Sequence, residues 1–401
     1  MIIKSSITIS FFLICLFFMA VSLPLIFSIL LAIIILTLFI GFKIDHISII
    51  FFSLSLLFLI IISETSLGLL TYNPASSCAE DEFKIPGKEH YKKNKSIYGF
   101  LCKLPDIVKI SGDLSLVEKV SVDFVTDKFG YRNYKEFNKN DLVIIGDSFT
   151  VGVGTTQDHI LSEQMSELLN KNVYNASFPT HPGGYFEIWK RMHKLTSQNF
   201  KSIFLIFEGN DFFCTIEEVY SGQPPQTSFL NYTFNVIQNT QTYNFSYGLF
   251  SKVASYYNLV ESPFKVDIRN IGGNNVGFLD WYISVSEREE HCNKASWDST
   301  FSFLEVIDNV ELIVFIPTKY RVYHHMLSDK ELPKLQSEYL KNFAENIGIN
   351  YLDLSEYLIN SSNKLIKNGN YTFGRGDTHW NSFGIKVAAE TIVKKLEENK
   401  N

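Results

Sequence analysis

The sequence lacks an excess of positive charge. The formal net charge of the 401 residues is −6, and the isoelectric point is near 5.9. These values exclude nucleic acid as a partner, and they exclude membrane attachment through a large polybasic patch. Hydrophobic residues, at 46%, and aromatic residues, at 15%, are instead sufficient for a large buried core.

Metal-ligand motifs are also missing. The chain has no CxxC motif and no His/Cys spacing typical of a metal site, so we expect neither a metal nor another cofactor. Cys15 lies in an apolar run, whereas Cys78, Cys102, Cys214 and Cys292 form an even set that is typical of exported proteins. Cys78 and Cys102 are the expected disulfide pair, although other pairings and free thiols remain alternatives.

No charged residue interrupts the sequence from Ser5 to Phe42. These 38 residues, as one helix, would extend for about 57 Å, which is roughly twice the hydrocarbon thickness of a bilayer. Pro24 predicts a break between two short helices, and a third apolar run extends from Ile47 to Ser63. We therefore expect residues 1–70 to be a membrane anchor with three transmembrane helices.

The orientation of this anchor depends on the number of spans. With three spans, Lys4 and Lys43 lie on the same side, and the rest of the chain is extracytoplasmic, on the periplasmic or outer face. Two spans would leave the rest of the chain in the cytoplasm. A cleaved signal peptide is a further alternative, although no charged n-region with a cleavage site stands out.

The remainder of the chain changes character near Asp141. Residues 71–138 have no sustained hydrophobic period and predict an irregular lead-in segment with a short strand pair. Residues 139–401 contain no internal repeat, and short apolar runs alternate with helix-length stretches. The predicted strands are 142–145, 202–207, 312–316 and 349–354, and the predicted helices are 156–169, 333–346 and 381–398. This alternation predicts an α/β domain with a mostly parallel sheet and a site at the carboxyl ends of its strands.

An insertion at about 212–295 interrupts the alternation and is rich in Asn, Ser, Tyr and Phe. Its aromatic residues include Tyr243, Phe245, Tyr247, Tyr256, Tyr257, Trp281 and Tyr282. We expect the insertion to cover the site, with rings that either stack on a sugar or, as is more usual, fill a core.

A serine stands where a predicted strand ends and a helix begins, in Ile145-Gly146-Asp147-Ser148-Phe149-Thr150. The helix amino terminus supplies partial positive charge and free N–H groups, which stabilise the negative charge on an attacked carbonyl oxygen. Serine at this position is also a common helix cap, and Gly-Asp-Ser alone is a weak signal.

Two further blocks strengthen the prediction. Asn210, in Glu208-Gly209-Asn210-Asp211, follows the strand at 202–207, and Gly376-Asp377-Thr378-His379-Trp380 precedes the last helix. A serine nucleophile needs a base, and the base needs an orienting carboxylate, which His379 and Asp377 could supply from one loop. Singly, these two residues would be interpreted as a surface histidine and a turn aspartate.

In this order, the Gly-Asp-Ser, Gly-Asn-Asp and Asp-Thr-His blocks resemble the SGNH (GDSL-type) hydrolase superfamily over about residues 130–401. The resemblance implies a three-layer α/β/α, flavodoxin-like domain. It implies that Ser148 is the nucleophile and an oxyanion-hole donor, that Asn210 is a second donor, that His379 is the general base and that Asp377 orients it.

Two features depart from the superfamily pattern. Thr180 stands where a glycine usually completes the oxyanion hole; either its N–H serves, or Gly183 or Gly184 takes the role. Asp377 and His379 are separated by one residue rather than two, which is similar to the alginate O-acetyltransferase branch.

The segment Ile316–Tyr323 is also similar to a segment of that branch, but the order of the blocks is different there, so the likeness is local. Lys319 and Arg321 in this segment could bind an anionic glycan. Two cations after a strand are more typical of a solvated loop, which is our expectation.

These features predict an acyl-ester enzyme of the cell envelope. An acyl-enzyme resolved by water would make the protein an esterase or deacetylase, whereas resolution by a sugar hydroxyl would make it an O-acyltransferase. The anchor favours O-acetyl or acyl transfer to a cell-envelope or exported polysaccharide, with a membrane partner that supplies the acyl group. An inactive scaffold that binds glycan is the non-enzymatic alternative.

Overall fold

The computed structural model describes residues 78–85, 87–102, 105–197, 199–212, 265–290 and 294–399. All of them lie within one compact unit, Ser77–Pro224 with Ser262–Asn401. Three sets of residues from these predictions lie outside the described residues: the membrane anchor at 1–70, residues 213–264 of the insertion with Tyr243, Phe245, Tyr247, Tyr256 and Tyr257, and the cysteines Cys15, Cys214 and Cys292. None of the helices in the described ranges combines the length and hydrophobicity needed to cross a bilayer.

The described ranges contain nine strands and eleven α-helices. The strands are β1 (Ser96–Cys102), β2 (Val120–Val125), β3 (Leu142–Ile145), β4 (Val173–Asn175), β5 (Lys201–Phe207), β6 (Val266–Ile271), β7 (Asn274–Leu279), β8 (Val310–Ile316) and β9 (Tyr351–Asp353). The helices are α1 (Ala79–Phe83), α2 (Asp106–Ser111), α3 (Ser148–Val151), α4 (Leu161–Leu169), α5 (Pro182–Thr196), α6 (Asp280–Ser286), α7 (Lys294–Phe301), α8 (Lys319–Tyr323), α9 (Leu335–Asn346), α10 (Ser355–Leu365) and α11 (Ser382–Glu398).

Five parallel strands form the central sheet in the order β4-β3-β5-β8-β9. Numbered along the chain, this order is 2-1-3-4-5, the flavodoxin-like arrangement. The strand order reverses between β3 and β5, because the chain adds β4 on one side of β3 and then β5, β8 and β9 on the other. In such sheets, ligand sites lie outside the carboxyl ends of the strands at this point. The predicted α/β fold with a parallel sheet is therefore confirmed.

Helices cover both faces of the sheet. In β3, Val143 and Ile145 belong to one buried cluster with α5, α7 and α9, whereas Leu142 and Ile144 belong to another with α4, α10 and α11. Because both faces are covered, β3, residues 203–207 of β5 and residues 312–316 of β8 are continuous apolar runs. Each fully buried aliphatic side chain contributes about 1.5–3 kcal/mol.

The lead-in segment packs on the same core as the sheet. β1 and β2 pair antiparallel, as the expected strand pair, and Val122 and Phe124 of β2 share a buried cluster with Val143 and Ile145 of β3. The expected disulfide between Cys78 and Cys102 is present and joins the start of α1 to the end of β1.

The described end of the insertion forms a β6–β7 hairpin followed by α6. The backbone N–H of Gly277 in β7 donates to the carbonyl of Arg375 at 2.9 Å. This hairpin therefore contacts the loop in which Asp377 lies.

Candidate active site

Ser148 lies at the carboxyl end of β3 and is the first residue of α3. Asp147 caps this helix, since its Oδ1 accepts the N–H of Phe149 at 2.9 Å. A Cβ atom on Gly146 would lie 2.2 Å from Oγ1 of Thr150 and 3.0 Å from the carbonyl oxygen of Leu205. Only glycine fits there, so the sharp turn that presents Ser148 at the sheet edge depends on Gly146.

His379 joins Ser148 to Asp377. Its Nε2 lies 2.8 Å from Oγ of Ser148, and its Nδ1 lies 2.6 Å from Oδ1 of Asp377. The same Oδ1 accepts the backbone N–H of His379 at 3.0 Å. Nδ1–H therefore donates to the carboxylate, and in the neutral imidazole this leaves Nε2 free to accept the serine proton. The structure brings these three predicted residues together, while their catalytic roles remain a prediction.

Trp380 and Phe149 hold this chain of hydrogen bonds against α3. The indole N–H of the buried Trp380 donates to the carbonyl of Phe149 at 3.0 Å. The Phe149 ring lies 5.0 Å from the imidazole of His379, between centroids, and 5.5 Å from the Trp380 ring. The residue after His379 is thereby fixed to the helix that begins at Ser148.

Negative charges around His379 set its protonation. Burial lowers the pKa of His379, but the charge and hydrogen bond of Asp377, with the charges of Asp106 and Asp147, raise it to about 9. Burial raises the pKa of Asp377, yet His379 and Lys319 hold it below its ordinary value. The imidazole is therefore mostly protonated at neutral pH, and it gains the ability to accept a proton as the pH rises.

Asp106 is a site residue that the sequence did not reveal. Its Oδ1 accepts the N–H of Thr378 at 2.9 Å, and its other oxygen accepts the hydroxyl of the same threonine. Burial and the charge of Asp377 raise the pKa of Asp106 to about 6. A residue of the lead-in segment thus holds the loop between Asp377 and His379.

The expectation of a solvated loop around Lys319 and Arg321 is wrong. The two residues are only 3% and 8% exposed. Nε of Arg321 donates to both oxygens of the buried Glu208 at 2.9 Å, and Glu208 also accepts the N–H of Thr318 at 2.9 Å. Helix α8 begins directly after the buried strand β8, so both cations point into the protein. In the sequence, nothing marks Glu208 as the partner of Arg321; it stands out only as the residue before Gly209.

The residues predicted for the oxyanion hole lie near the carboxyl ends of the strands. Asn210 is exposed in the turn after β5, and the indole N–H of Trp281 donates to the carbonyl of Gly209 at 3.2 Å. Thr180 is half-buried before α5, and Gly183 is exposed in the first turn of α5. Their roles as oxyanion donors remain predictions.

Asp211, at the end of the Gly-Asn-Asp block, is buried and shapes the turn that carries Asn210. Its Oδ2 accepts the N–H of Phe207 at 2.8 Å and the hydroxyl of Tyr185 at 2.9 Å. Burial and the charge of Asp147 raise the pKa of Asp211 well above its ordinary value. This aspartate therefore connects β5 to α5.

A cavity of about 340 Å³ borders the site on the lead-in side. Its lining includes Asp377 and His379, together with Asp106, Glu118 and Val120 of the lead-in segment. Its volume is within the range of small-molecule sites. Among the described residues, one group, Asp106 with Asp377 and His379, brings three potential metal-ligand atoms within 4.8 Å of one another, and all three side chains already have hydrogen-bond partners.

Residues 308–401 match the family model described as SGNH hydrolase-like domain, acetyltransferase AlgX. This match confirms the resemblance to the SGNH superfamily and the local similarity to the alginate O-acetyltransferase branch. No curated protein matches the sequence at a significant level.

Two solved structures are similar over about two thirds of their length. One is a carbohydrate esterase family 2 enzyme with a carbohydrate-binding domain from Corynascus thermopiles (Myceliophthora fergusii), at 11% identity, TM-score 0.34, covering 67% of this chain and 68% of that chain. The other is the acetyl xylan esterase Est2A from Butyrivibrio proteoclasticus, at 10% identity, TM-score 0.29, covering 70% and 71%.

Proposed function

We propose that this protein is a serine-dependent acyl-ester enzyme that transfers an O-acetyl or related acyl group to a cell-envelope or exported polysaccharide. The observation that supports the proposal is the hydrogen-bonded chain from Ser148 through His379 to Asp377, with distances of 2.8 and 2.6 Å. A serine, a base on its hydroxyl and a carboxylate behind the base form the arrangement that activates a nucleophile.

In the first half-reaction, Nε2 of His379 accepts the proton of Ser148 as Oγ forms a bond to the carbonyl carbon of the ester. The backbone N–H of Ser148, the amide of Asn210 and the N–H of Thr180 or Gly183 stabilise the oxyanion. The bond between the carbonyl carbon and the alcohol oxygen then breaks, and His379 returns the proton to the departing alcohol. The product is an acyl-enzyme on Ser148.

The acceptor in the second half-reaction decides the type of enzyme. A sugar hydroxyl gives its proton to His379, attacks the acyl carbon and releases Ser148 with a new O-acyl ester. Water in the same place gives a free carboxylic acid, which is the esterase alternative. The match of residues 308–401 to an acetyltransferase domain supports acyl transfer rather than hydrolysis.

The proposed location is the outer side of a membrane, with residues 1–70 as the anchor. The disulfide between Cys78 and Cys102 supports an oxidising compartment, because disulfides are rare in the cytosol. A membrane partner would supply the acyl group, since the anchor itself is too small to transport an acyl donor.

Labelling of the full-length protein with a serine-directed fluorophosphonate tests the proposal. We expect the native protein and the exposed-serine control Ser121→Ala to be labelled, and Ser148→Ala and His379→Ala not to be. A folded native protein that resists labelling would contradict the enzyme proposal and favour a glycan-binding scaffold.

The acceptor is tested with an aryl acetate as donor, with and without acetyl-free oligosaccharides. Mass spectrometry measures acetylated sugar, and an acetate assay measures hydrolysis. Transfer is supported if sugar acetylation exceeds hydrolysis at saturating acceptor, whereas acetate as the sole product favours the esterase alternative.

A further inference from the structure

Lys319 places a charged group under the loop that carries Asp377. Its Nζ donates to the carbonyl oxygens of Gly374, Arg375 and Asp377 at 2.7, 2.9 and 2.9 Å. The side chain is almost fully buried. All three ammonium protons are therefore used by the backbone of a single turn, which ends two residues before His379.

The nearby Arg321 gives a useful contrast. Arg321 pairs with the carboxylate of Glu208, as buried arginines usually pair with an acid. Among the ion pairs of the described residues, Lys319 has no carboxylate at ion-pair distance, and its contacts are carbonyl oxygens. The charge of Lys319 therefore stabilises the turn at 374–377 through its carbonyl oxygens, rather than neutralising a single carboxylate.

The turn depends on this ammonium because its carbonyls point inward. Without it, the carbonyls of Gly374 and Arg375 would keep one backbone partner each, the N–H of Asp377 at 3.3 Å and the N–H of Gly277 at 2.9 Å. All three carbonyls would lose a charged donor, and a hydrogen bond to a charged group contributes about 1.5–3 kcal/mol. The N–H groups of the turn have other partners: Arg375 donates to Glu118 at 2.6 Å, and Gly374 donates to the carbonyl of His379 at 3.1 Å.

Several charged groups face Lys319. Burial lowers the pKa of Lys319 to about 7, while Asp106, Asp377 and Glu118 favour its charged form and Arg375 opposes it. The Phe278 ring of β7 lies 5.5 Å from Nζ. The three carbonyl acceptors add to the stabilisation of the charged form, because only an ammonium offers three donors.

We propose that Lys319 is a positioning residue whose ammonium holds the turn at 374–377 so that the Asp377 carboxylate faces Nδ1 of His379. This inference rests on the proposed function for its catalytic meaning. Its geometric content, the orientation of Asp377 towards His379, can be tested without any turnover.

The experiment compares full-length native protein with Lys319→Met and with the control Lys330→Met. Lys330 is exposed, and its Nζ lies 3.0 Å from Glu289. Histidine labelled with ¹³C at Cε1 reports the pKa of His379 by NMR, and a low-field proton signal reports its bond to Asp377. The signals of His379 are assigned by their absence in His379→Gln.

In Lys319→Met we expect the low-field signal to disappear and the pKa of His379 to fall towards its ordinary value, because the carboxylate turns away. Fluorophosphonate labelling should slow by about 10- to 100-fold, as expected for misplaced catalytic groups. Lys330→Met should match the native protein in all three measurements.

A retained low-field signal with an unchanged or raised pKa of His379 would overturn the proposal, because Lys319 would then act through its charge alone or not at all. Lys319→Gln, which keeps two neutral donors, is the second variant if Lys319→Met does not fold by circular dichroism. If neither variant folds, Lys319 supports the whole domain and the specific proposal is wrong. Failure of native labelling would contradict the proposed function and leave the NMR result valid.

Discussion

The carboxylate of Asp106 accepts the backbone N–H of Thr378 at 2.9 Å, across 272 residues of sequence. Thr378 lies between Asp377 and His379, so a residue of the lead-in segment contacts the middle of the proposed catalytic pair. The lead-in segment therefore contributes to the electrostatics of the site.

Replacement of Asp106 by Asn should shift the pH dependence of serine labelling to lower pH. Asn keeps an acceptor for the N–H of Thr378 but removes a negative charge that raises the pKa of His379. More neutral imidazole would then be present at pH 7, and labelling should quicken by up to about tenfold. Asp113→Asn, which affects only an exposed turn of the same segment, is the control. An unchanged midpoint would show that Asp106 does not influence His379.

The native protein should be most reactive at alkaline pH. The pKa of His379 is raised to about 9, so the fraction of neutral imidazole falls about tenfold for each pH unit below that value. Labelling rates measured from pH 6 to 10, in buffers of constant ionic strength, should reach a maximum between about pH 7 and about pH 9, because His379 must lose its proton while Lys319 must keep its own. A plateau already reached near pH 6.5 would mean that the surrounding carboxylates do not act on His379.

Arg321→Met should destabilise the protein strongly. The substitution leaves Glu208 buried without its ionic partner, which typically costs about 3–5 kcal/mol of unfolding free energy. Denaturant unfolding followed by circular dichroism measures the loss, and Lys330→Met, in an exposed pair, should lose less than about 1 kcal/mol. The double variant Arg321→Met with Glu208→Met should regain much of the stability; a double variant as unstable as the single one would contradict the pairing argument.

Removal of the disulfide should weaken both stability and reactivity. Cys78 and Cys102 are separated by 24 residues, and a loop of this size is typically stabilised by about 3 kcal/mol. Asp106 follows Cys102 closely and accepts the N–H of Thr378. A loosened segment would lose this contact and misplace Asp377 and His379, so the double variant Cys78→Ser with Cys102→Ser should also label more slowly. Unfolding with and without a reducing agent provides the test: if the reductant destabilises the double variant as much as the native protein, the stabilising bond lies elsewhere.

The sequence predicted the strands and site residues that produce a local pattern, either a buried apolar run or a short motif. β3, β5 and β8 were predicted because a parallel strand buried on both faces is a continuous apolar run. Ser148, His379 and Asp377 were found because each stands beside a strand end or helix start in a short block. β4 was not predicted, because its three residues, Val173, Tyr174 and Asn175, do not form an apolar run.

The missed site residues depend on contacts that no local pattern records. Lys319 lies 55 to 58 residues from the carbonyls it binds, and Asp106 lies at the opposite end of the domain sequence from Thr378. In sequence, a lysine after a strand is typical of an exposed loop. Its burial follows only from the packing of α8 beneath the turn at 374–377.

The loop from Gly374 to His379 takes its shape from four separate parts of the chain: Asp106, Glu118, Gly277 and Lys319 all bind it. Because the loop needs all four contacts, its shape cannot form until every one of these parts has folded. During refolding, Ser148 would therefore become reactive only when the native state is complete. The rate at which fluorophosphonate labelling returns would then measure the rate of the final folding step.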